Sequence, residues 1–204
     1  MEGPITGVVL AAGAALRMGE PKLLLPLGGS TVLNTTLASV EASEVDRVIV
    51  VTGANASLVE DSIVAGRASV VRNPDYRRGN MSSLLTAAAA DPSASAFIVV
   101  PGDLPTVQTG VIDQMVELWR EAAPWAAVTS YTDGVAHPFL VSRDALGLAM
   151  RTRGKRVLGR LLIESDDDRV LRLDAPVTAP LNVNTAEEYD ALLGAEERTG
   201  FEDE

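Results

Sequence analysis

The chain has 204 residues and sets 17 Lys and Arg against 28 Asp and Glu, a formal charge of −11. That balance argues against a nucleic-acid partner, because a phosphate backbone selects for basic faces. Hydrophobic residues make up 47% and charged residues 22%, which is globular, and the absence of cysteine excludes disulfides, thiolate catalysis and Cys-ligated metals.

Apolar runs alternate with helical stretches along the chain. Residues 5–10 predict a first strand, 31–42 a helix capped by Ser30 or Thr31, 47–52 a second strand closed by Gly53, and 55–65 a helix. A short strand at 69–72 and an Ala-rich helix at 82–90 come next, then a strong strand at 96–100 and a helix at 106–121. Strands are expected at 126–131 and 138–141, helices at 142–150 and 154–163, short strands at 170–173 and 181–183, and a last helix at 186–193. Strands separated by helices predict an α/β fold of three αβα layers around a mainly parallel, Rossmann-like sheet. One domain over 1–195 is expected, with an acidic, frayed tail at 196–204. No cationic leader precedes the first run and no run approaches membrane-spanning length, so a cytoplasmic protein without a membrane partner is expected.

The stretch from Val8 to Lys22 organises the rest. A β-branched run ends abruptly in Ala11, Ala12 and Gly13, and Arg17, Gly19 and Lys22 follow within one loop. Small residues let backbone N–H groups approach a ligand closely. With Arg17 and Lys22 they form a receptor for a polyanion, most simply a triphosphate. It is neither a Walker loop, since no Gly-Lys-Ser/Thr follows, nor the G-x-G-x-x-G dinucleotide fingerprint.

Four further segments carry chemistry. Asn73 to Leu84 is either a turn before a helix capped by Ser82, or a nucleobase site with Gly79 allowing close approach and Ser82 and Ser83 presenting hydroxyls. Arg77 and Arg78 in it either assist with phosphate or are solvated. Asp103 follows a strand directly, at the edge where open α/β sheets bind ligands, and either caps a helix or anchors a divalent cation. Arg151 to Arg156 is the densest basic cluster, either an anion site or a solvated helix start. Asn182-Val183-Asn184-Thr185 is explained without function by an Asx-type turn and a Thr185 cap. His137, the single histidine, has no second His to support a metal role.

Leu10-Ala11-Ala12-Gly13, Arg17-Met18-Gly19 and Lys22 together match Leu-Ala-Ala-Gly-x-x-x-Arg-Met-Gly-x-x-Lys, and so resemble the signature of the MobA-like nucleotidyltransferases. These include the molybdopterin cytidylyl- and guanylyltransferases. The resemblance implies the nucleotide-diphospho-sugar transferase type of fold and a Mg2+-dependent transfer of NMP, with Mn2+ as an alternative cation. The donor would be CTP, with GTP as the alternative; the acceptor would be a phosphorylated small molecule such as molybdopterin, and pyrophosphate would leave.

It further implies a nucleotide site of Leu10, Ala11, Ala12, Gly13, Gly19, Lys22, Asn73, Gly79, Ser82, Ser83 and Asp103. Lys22, Arg17 and Asp103 would be catalytic, Asp103 and Asn182 would hold the metal, and His137, Arg153 and Arg156 would line the acceptor site. The family's Gly-Asp-x-Gly-x-Arg element lacks its Asp here, at Thr152, which puts the acceptor in doubt. Branch markers are mixed, since His137-Pro138 leans to cytidylyl and Asn182 to guanylyl. The rival readings are a sugar-phosphate, phospholactate or isoprenoid-precursor acceptor, or a non-catalytic nucleotide-binding accessory protein. A molybdoenzyme or accessory-protein partner accompanies the molybdopterin reading.

Overall fold

A computed structural model describes residues 3–13, 21–151, 162–163 and 168–199, the last five of these by backbone alone. The strands are β1 (Ile5–Ala11), β2 (Pro26–Leu27), β3 (Ser30–Thr31), β4 (Arg47–Thr52), β5 (Ala68–Arg72), β6 (Ala96–Pro101), β7 (Ala126–Tyr131), β8 (Gly134–Ser142) and β9 (Val170–Asp174). The helices are α1 (Val32–Glu41), α2 (Ala56–Ser62), α3 (Asn80–Ala90), α4 (Thr109–Ala122), α5 (Arg143–Arg151) and α6 (Ala186–Thr199).

Seven strands form one sheet in the order β5-β4-β1-β6-β8-β7-β9. Every neighbouring pair is parallel except the two made by β8, which runs antiparallel to β6 and β7. The reason is local. Only a tight turn joins β7 to β8, and a turn that short returns the chain alongside itself. Neighbouring strands share each helix layer because side chains alternate across the sheet. Val9, Val50, Ile98 and Val100 pack on one side with Leu33, Leu37, Ile112 and Met115 of α1 and α4. Val8, Ile49, Val51, Phe97 and Val99 pack on the other with Leu84, Ala87 and Leu146 of α3 and α5. Burial on both faces is what the near-continuous apolar runs of β1, β4 and β6 encode.

The three-layer expectation therefore holds, with local differences. Residues 181–183 form no strand. Leu181 N–H bonds to Thr106 Oγ1 at 2.8 Å and Val183 N–H to the Asp103 carbonyl at 3.1 Å, so their donors serve the loop after β6. Helix α2 stops at Ser62, short of residue 65, because the Asn34 side chain captures the Ser62 carbonyl and the Val64 N–H. Helix α4 starts at Thr109, later than expected, since Thr106 is held by Leu181 and Gln108 is the cap. Helix α3 starts early, at Asn80, with Gly79 at its N-cap, so Ser82 lies in the first turn. The last helix runs past residue 193 to Thr199. The hairpin of β2 and β3 was not anticipated; its turn uses Gly28 and Gly29 at φ 52° and 76°, which only glycine adopts freely. Residues 154–161 of the expected 154–163 helix lie outside the described residues.

One buried acid ties the strand starts together. Asp91, 3% exposed, accepts from Thr6 Oγ1 at 2.7 Å, from Arg47 at 2.6 Å and from Ser93 Oγ at 2.7 Å. Burial pushes its carboxyl upward, but the bonds from Ser93 and Thr6 and the Arg47 charge outweigh that and hold it below the usual range. Asp91→Ala is expected to cost about 1–3 kcal/mol, because Thr6 Oγ1 loses its buried partner. Chemical denaturation measures this; a loss below about 0.5 kcal/mol, the scatter of surface changes, would contradict the role.

Candidate active site

The strong central strands β1 and β6 end side by side, and the chain after each is made of small residues. Leu10 carbonyl accepts from Gly102 N–H at 3.0 Å. A Cβ on Gly102 would lie 2.9 Å from Leu33 and 3.2 Å from the Leu10 carbonyl, so glycine lets the loop after β6 press onto β1. Gly53 plays the same part beside Ala12, where a Cβ would come within 2.8 Å of the Ala12 side chain. These close approaches carry Asp103 and the Ala12-Gly13 turn to the same edge, the carboxyl ends of the parallel strands.

There a cavity of about 230 Å3 is lined by Leu10, Ala12, Gly13, Lys22, Leu23, Tyr76, Asn80, Ser83, Pro101 and Asp103. A Cβ on Gly13 would meet nothing within 4 Å, so that side of the turn is open to an incoming group. Lys22 begins a short 3-10 turn, Lys22–Leu24, that buried Leu23 anchors. Its ammonium donates to Asp103 Oδ2 and to Asn184 Oδ1, the latter at 3.0 Å. The Lys22 and Asp103 side chains are only 18% and 14% exposed, so the pair is largely withdrawn from water. Asp103 does not cap α4; its carboxylate is spent on Lys22.

Asn184 reaches this point because Val183, 1% exposed, buries beside Leu25, Val32 and Leu192 while its N–H bonds to the Asp103 carbonyl. Asn182 is exposed. The Asn-x-Asn element thus brings Asn184, and not Asn182, to Lys22 and Asp103.

The α3 end of the cavity is braced by Asn73, 2% exposed. Its amide donates to Ser82 Oγ at 2.9 Å and to Ser83 Oγ at 3.0 Å, while its Oδ1 accepts from Asp75 N–H at 2.9 Å. Ser83 lines the cavity; Asn73 and Ser82 set its position from behind. Gly79, at φ 94°, turns the chain into α3. Ala11, fully buried, packs into the core and not the cavity. Arg77 lies over the Tyr76 ring at 5.6 Å, and Arg78 pairs with Asp75 at 3.6 Å, both on the exposed rim. Arg17, Gly19, Arg153 and Arg156 lie outside the described residues. Tyr76, Asn80, Leu23 and Pro101 were not anticipated in the lining. Tyr76 and Asn80 lie within the Asn73 to Leu84 segment, but a residue in an irregular turn carries no periodic signal of which way it faces.

His137 sits on β8, one strand from β6. Its Nδ1 donates to the Val99 carbonyl at 3.1 Å and its ring lies against Phe139, with centroids 3.9 Å apart. A carbonyl only accepts, so Nδ1 carries the proton and Nε2 is a bare acceptor. Burial pushes the imidazole down to about 4, outweighing the Val99 bond and the Asp103 charge, which both favour the cation. The unfolded chain takes this proton near pH 6.5, the folded one only near 4, so stability falls as pH drops through that window. Melting temperatures of the ligand-free protein should therefore decline less steeply from pH 6.5 to 4 for His137→Asn than for wild type; equal slopes would contradict it.

The sequence pattern of the MobA-like NTP transferase domain matches residues 7–170. The chain is 26% identical over 183 residues to the molybdenum cofactor cytidylyltransferase of Escherichia coli strain K12, covering 89% of this chain and 92% of that protein. The crystal structure of Rv0371c from Mycobacterium tuberculosis H37Rv superposes with a TM-score of 0.82 at 32% identity, over 95% of this chain and 100% of that one. A second structure of that protein, in complex with manganese, superposes with a TM-score of 0.77 at 31% identity, over 94% and 99% of the two chains. The fold is that of the nucleotide-diphospho-sugar transferases. The chain belongs to the MobA-like NTP transferase family.

Proposed function

We propose that this nucleotidyltransferase moves CMP from CTP to a phosphorylated acceptor of the molybdopterin kind, with a divalent cation. The observation that carries the reading is the convergence of Lys22, Asp103 and Asn184 at one end of a cavity whose wall is the Ala12-Gly13 turn. The donor set fits a hard cation. A carboxylate and an amide oxygen, from Asp103 and Asn184, both lie within bonding reach of one positive charge, the Lys22 ammonium. Among the described residues no group of three or more His, Cys, Asp or Glu could hold a metal, so phosphate oxygens and water would complete the shell. The Mg2+ or Mn2+ held there would neutralise charge on the triphosphate.

The acceptor phosphate oxygen attacks the α-phosphorus, the bond to the β-phosphate oxygen breaks, and pyrophosphate leaves. An acceptor phosphate is already anionic, so no protein base is required. Lys22 holds the triphosphate and offsets its charge, with Arg17 in the same loop as its partner. Leu10, Ala12 and Gly13 present the β1 edge to the nucleoside, with Gly19 supporting the loop, and Ser83 faces the base from α3. Ser83 accepts from Asn73, which leaves its own O–H free to donate. His137, neutral with Nε2 bare, accepts a hydrogen bond on the acceptor side; Arg153 and Arg156 supply charge there.

CTP is favoured on the E. coli relative, whose name is that of a cytidylyltransferase. Molybdopterin as acceptor, the molybdoenzyme partner and the cytoplasmic setting belong to the same reading. The departure at Thr152 keeps a sugar phosphate or another phosphorylated acid as the alternative acceptor.

Two measurements test this. Pyrophosphate release across the four NTPs with Mg2+ and molybdopterin should be fastest with CTP; preference for GTP would make Asn182 the better branch marker, and no release with any acceptor would favour an accessory protein. Lys22→Ala should lose roughly 10²–10³ in turnover, the cost of removing one charge-stabilising contact. Its fold should persist by melting temperature, and near-normal turnover would remove Lys22 from the reaction.

A further inference from the structure

We propose that the Lys22 ammonium is a placeholder for the divalent cation, so that cation and nucleotide bind as a coupled pair and the cation binds poorly alone. The inference rests on the reading of Asp103 as the metal anchor. Lys22 donates to Asp103 Oδ2 and Asn184 Oδ1 together, the two oxygens a divalent cation would take. Both sites cannot be filled at once. A cation entering at Asp103 must displace a positive charge already seated there.

Among the described residues that line the cavity, the displaced ammonium then has no second carboxylate to pair with. Asp103 is the only acid among the described residues that line the cavity. Among the described residues, Glu60 is engaged with Thr52 and Arg72, and Glu188 with the N–H groups of Asn184 and Thr185. The backbone of Lys22 cannot follow its side chain, because Leu23 is 6% exposed in the core and Leu24 N–H is bonded to the Pro21 carbonyl at 2.8 Å. The side chain alone must turn, away from Asp103 and into the cavity that both residues line. A triphosphate in that cavity is the partner that makes the turn favourable.

Three consequences follow. In the resting protein the pairing neutralises Asp103, so a half-buried carboxylate is not left alone near the apolar floor of Leu10, Leu23 and Pro101. The nucleotide raises cation affinity beyond what the cation gains from the phosphates themselves, because it also removes the competing charge. By linkage the cation raises nucleotide affinity by the same factor, since it frees Lys22 for the phosphates. The lysine is thus a positioning residue for the cation as well as a phosphate ligand.

The test is Mn2+ binding followed by electron paramagnetic resonance, which reads the free ion and needs no turnover. Wild type, Lys22→Met, Lys22→Gln and Asp103→Asn are titrated with and without a CTP analogue carrying a methylene between the α- and β-phosphorus. Without nucleotide, both neutral Lys22 variants should bind Mn2+ about tenfold tighter than wild type, a coupling typical of linked sites. With the analogue, wild type should gain more in Mn2+ affinity than either variant. Equal or weaker Mn2+ binding by the two Lys22 variants without nucleotide, while Asp103→Asn abolishes it, would overturn the placeholder and leave the anchor standing. Binding that survives in Asp103→Asn would overturn the anchor, and the placeholder with it. Two neutral side chains guard against a folding artefact in either one, and both are to be compared at matched melting temperature.

Discussion

Three segments far apart in the chain meet at one ammonium. Lys22 comes from the loop after β1, Asp103 from the loop after β6, and Asn184 from the segment before α6. The separations are 81 and 162 residues, so nothing local holds the pairings. What holds them is the sheet. β1 and β6 are adjacent and parallel, in register from Ile5 with Ala96 to Leu10 with Pro101, so their ends arrive at the same height. The Val183 N–H bond to the Asp103 carbonyl then adds the third segment. A single register slip would move Asp103 to the other face of the loop and take Lys22 out of reach.

A buried acid, Asp91, and a half-buried one, Asp103, stand at opposite ends of the strands. Asp91 stands where the strands begin and Asp103 where they end. Asp91 is saturated: Thr6, Arg47 and Ser93 fill its oxygens, and Arg143 closes the turn behind it through the Asp91 and Ala94 carbonyls at 2.6 and 2.7 Å. Asp103 faces a cavity, and its carboxylate is met by the Lys22 ammonium. The first arrangement resists exchange of partners, and the second invites it. In a chain of charge −11 the Lys22 ammonium stands beside the cavity where the parallel strands end.

Much of this was legible in the sequence, for identifiable reasons. β1, β4 and β6 are buried on both faces, so their apolar runs are unbroken and their ends sharp. Asp103 was legible because a carboxylate immediately beyond such a run has one place to be. Lys22 was legible because it follows the small residues within one loop, together with Arg17. The choice of Asn184 over Asn182 was not. It depends on Val183 burying against Leu25, Val32 and Leu192, a contact between the two ends of the chain that no local pattern announces. Residues 181–183 have a strand's composition, yet their donors bond to a loop, and composition does not show where a donor finds its acceptor. The direction of β8 followed from a turn at Thr132 and Asp133 that the apolar pattern of 138–141 does not contain. Tyr76 and Asn80 face the cavity through a 3-10 turn and the early start of α3, both set by tertiary packing around Asn73.

In the proposed reaction the Asp103 and Asn184 oxygens hold a cation against a bound triphosphate while Lys22 turns from those oxygens to the phosphates. The most direct measurement is a crystal structure of the protein with the CTP analogue and Mn2+, with the metal located by its anomalous scattering. One strong peak is expected, bonded to the Asp103 carboxylate and to phosphate oxygens, near Asn184 Oδ1, with Lys22 Nζ on the triphosphate. Mn2+ bound away from Asp103, or a Lys22 ammonium still seated on Asp103 with nucleotide and metal in place, would contradict it.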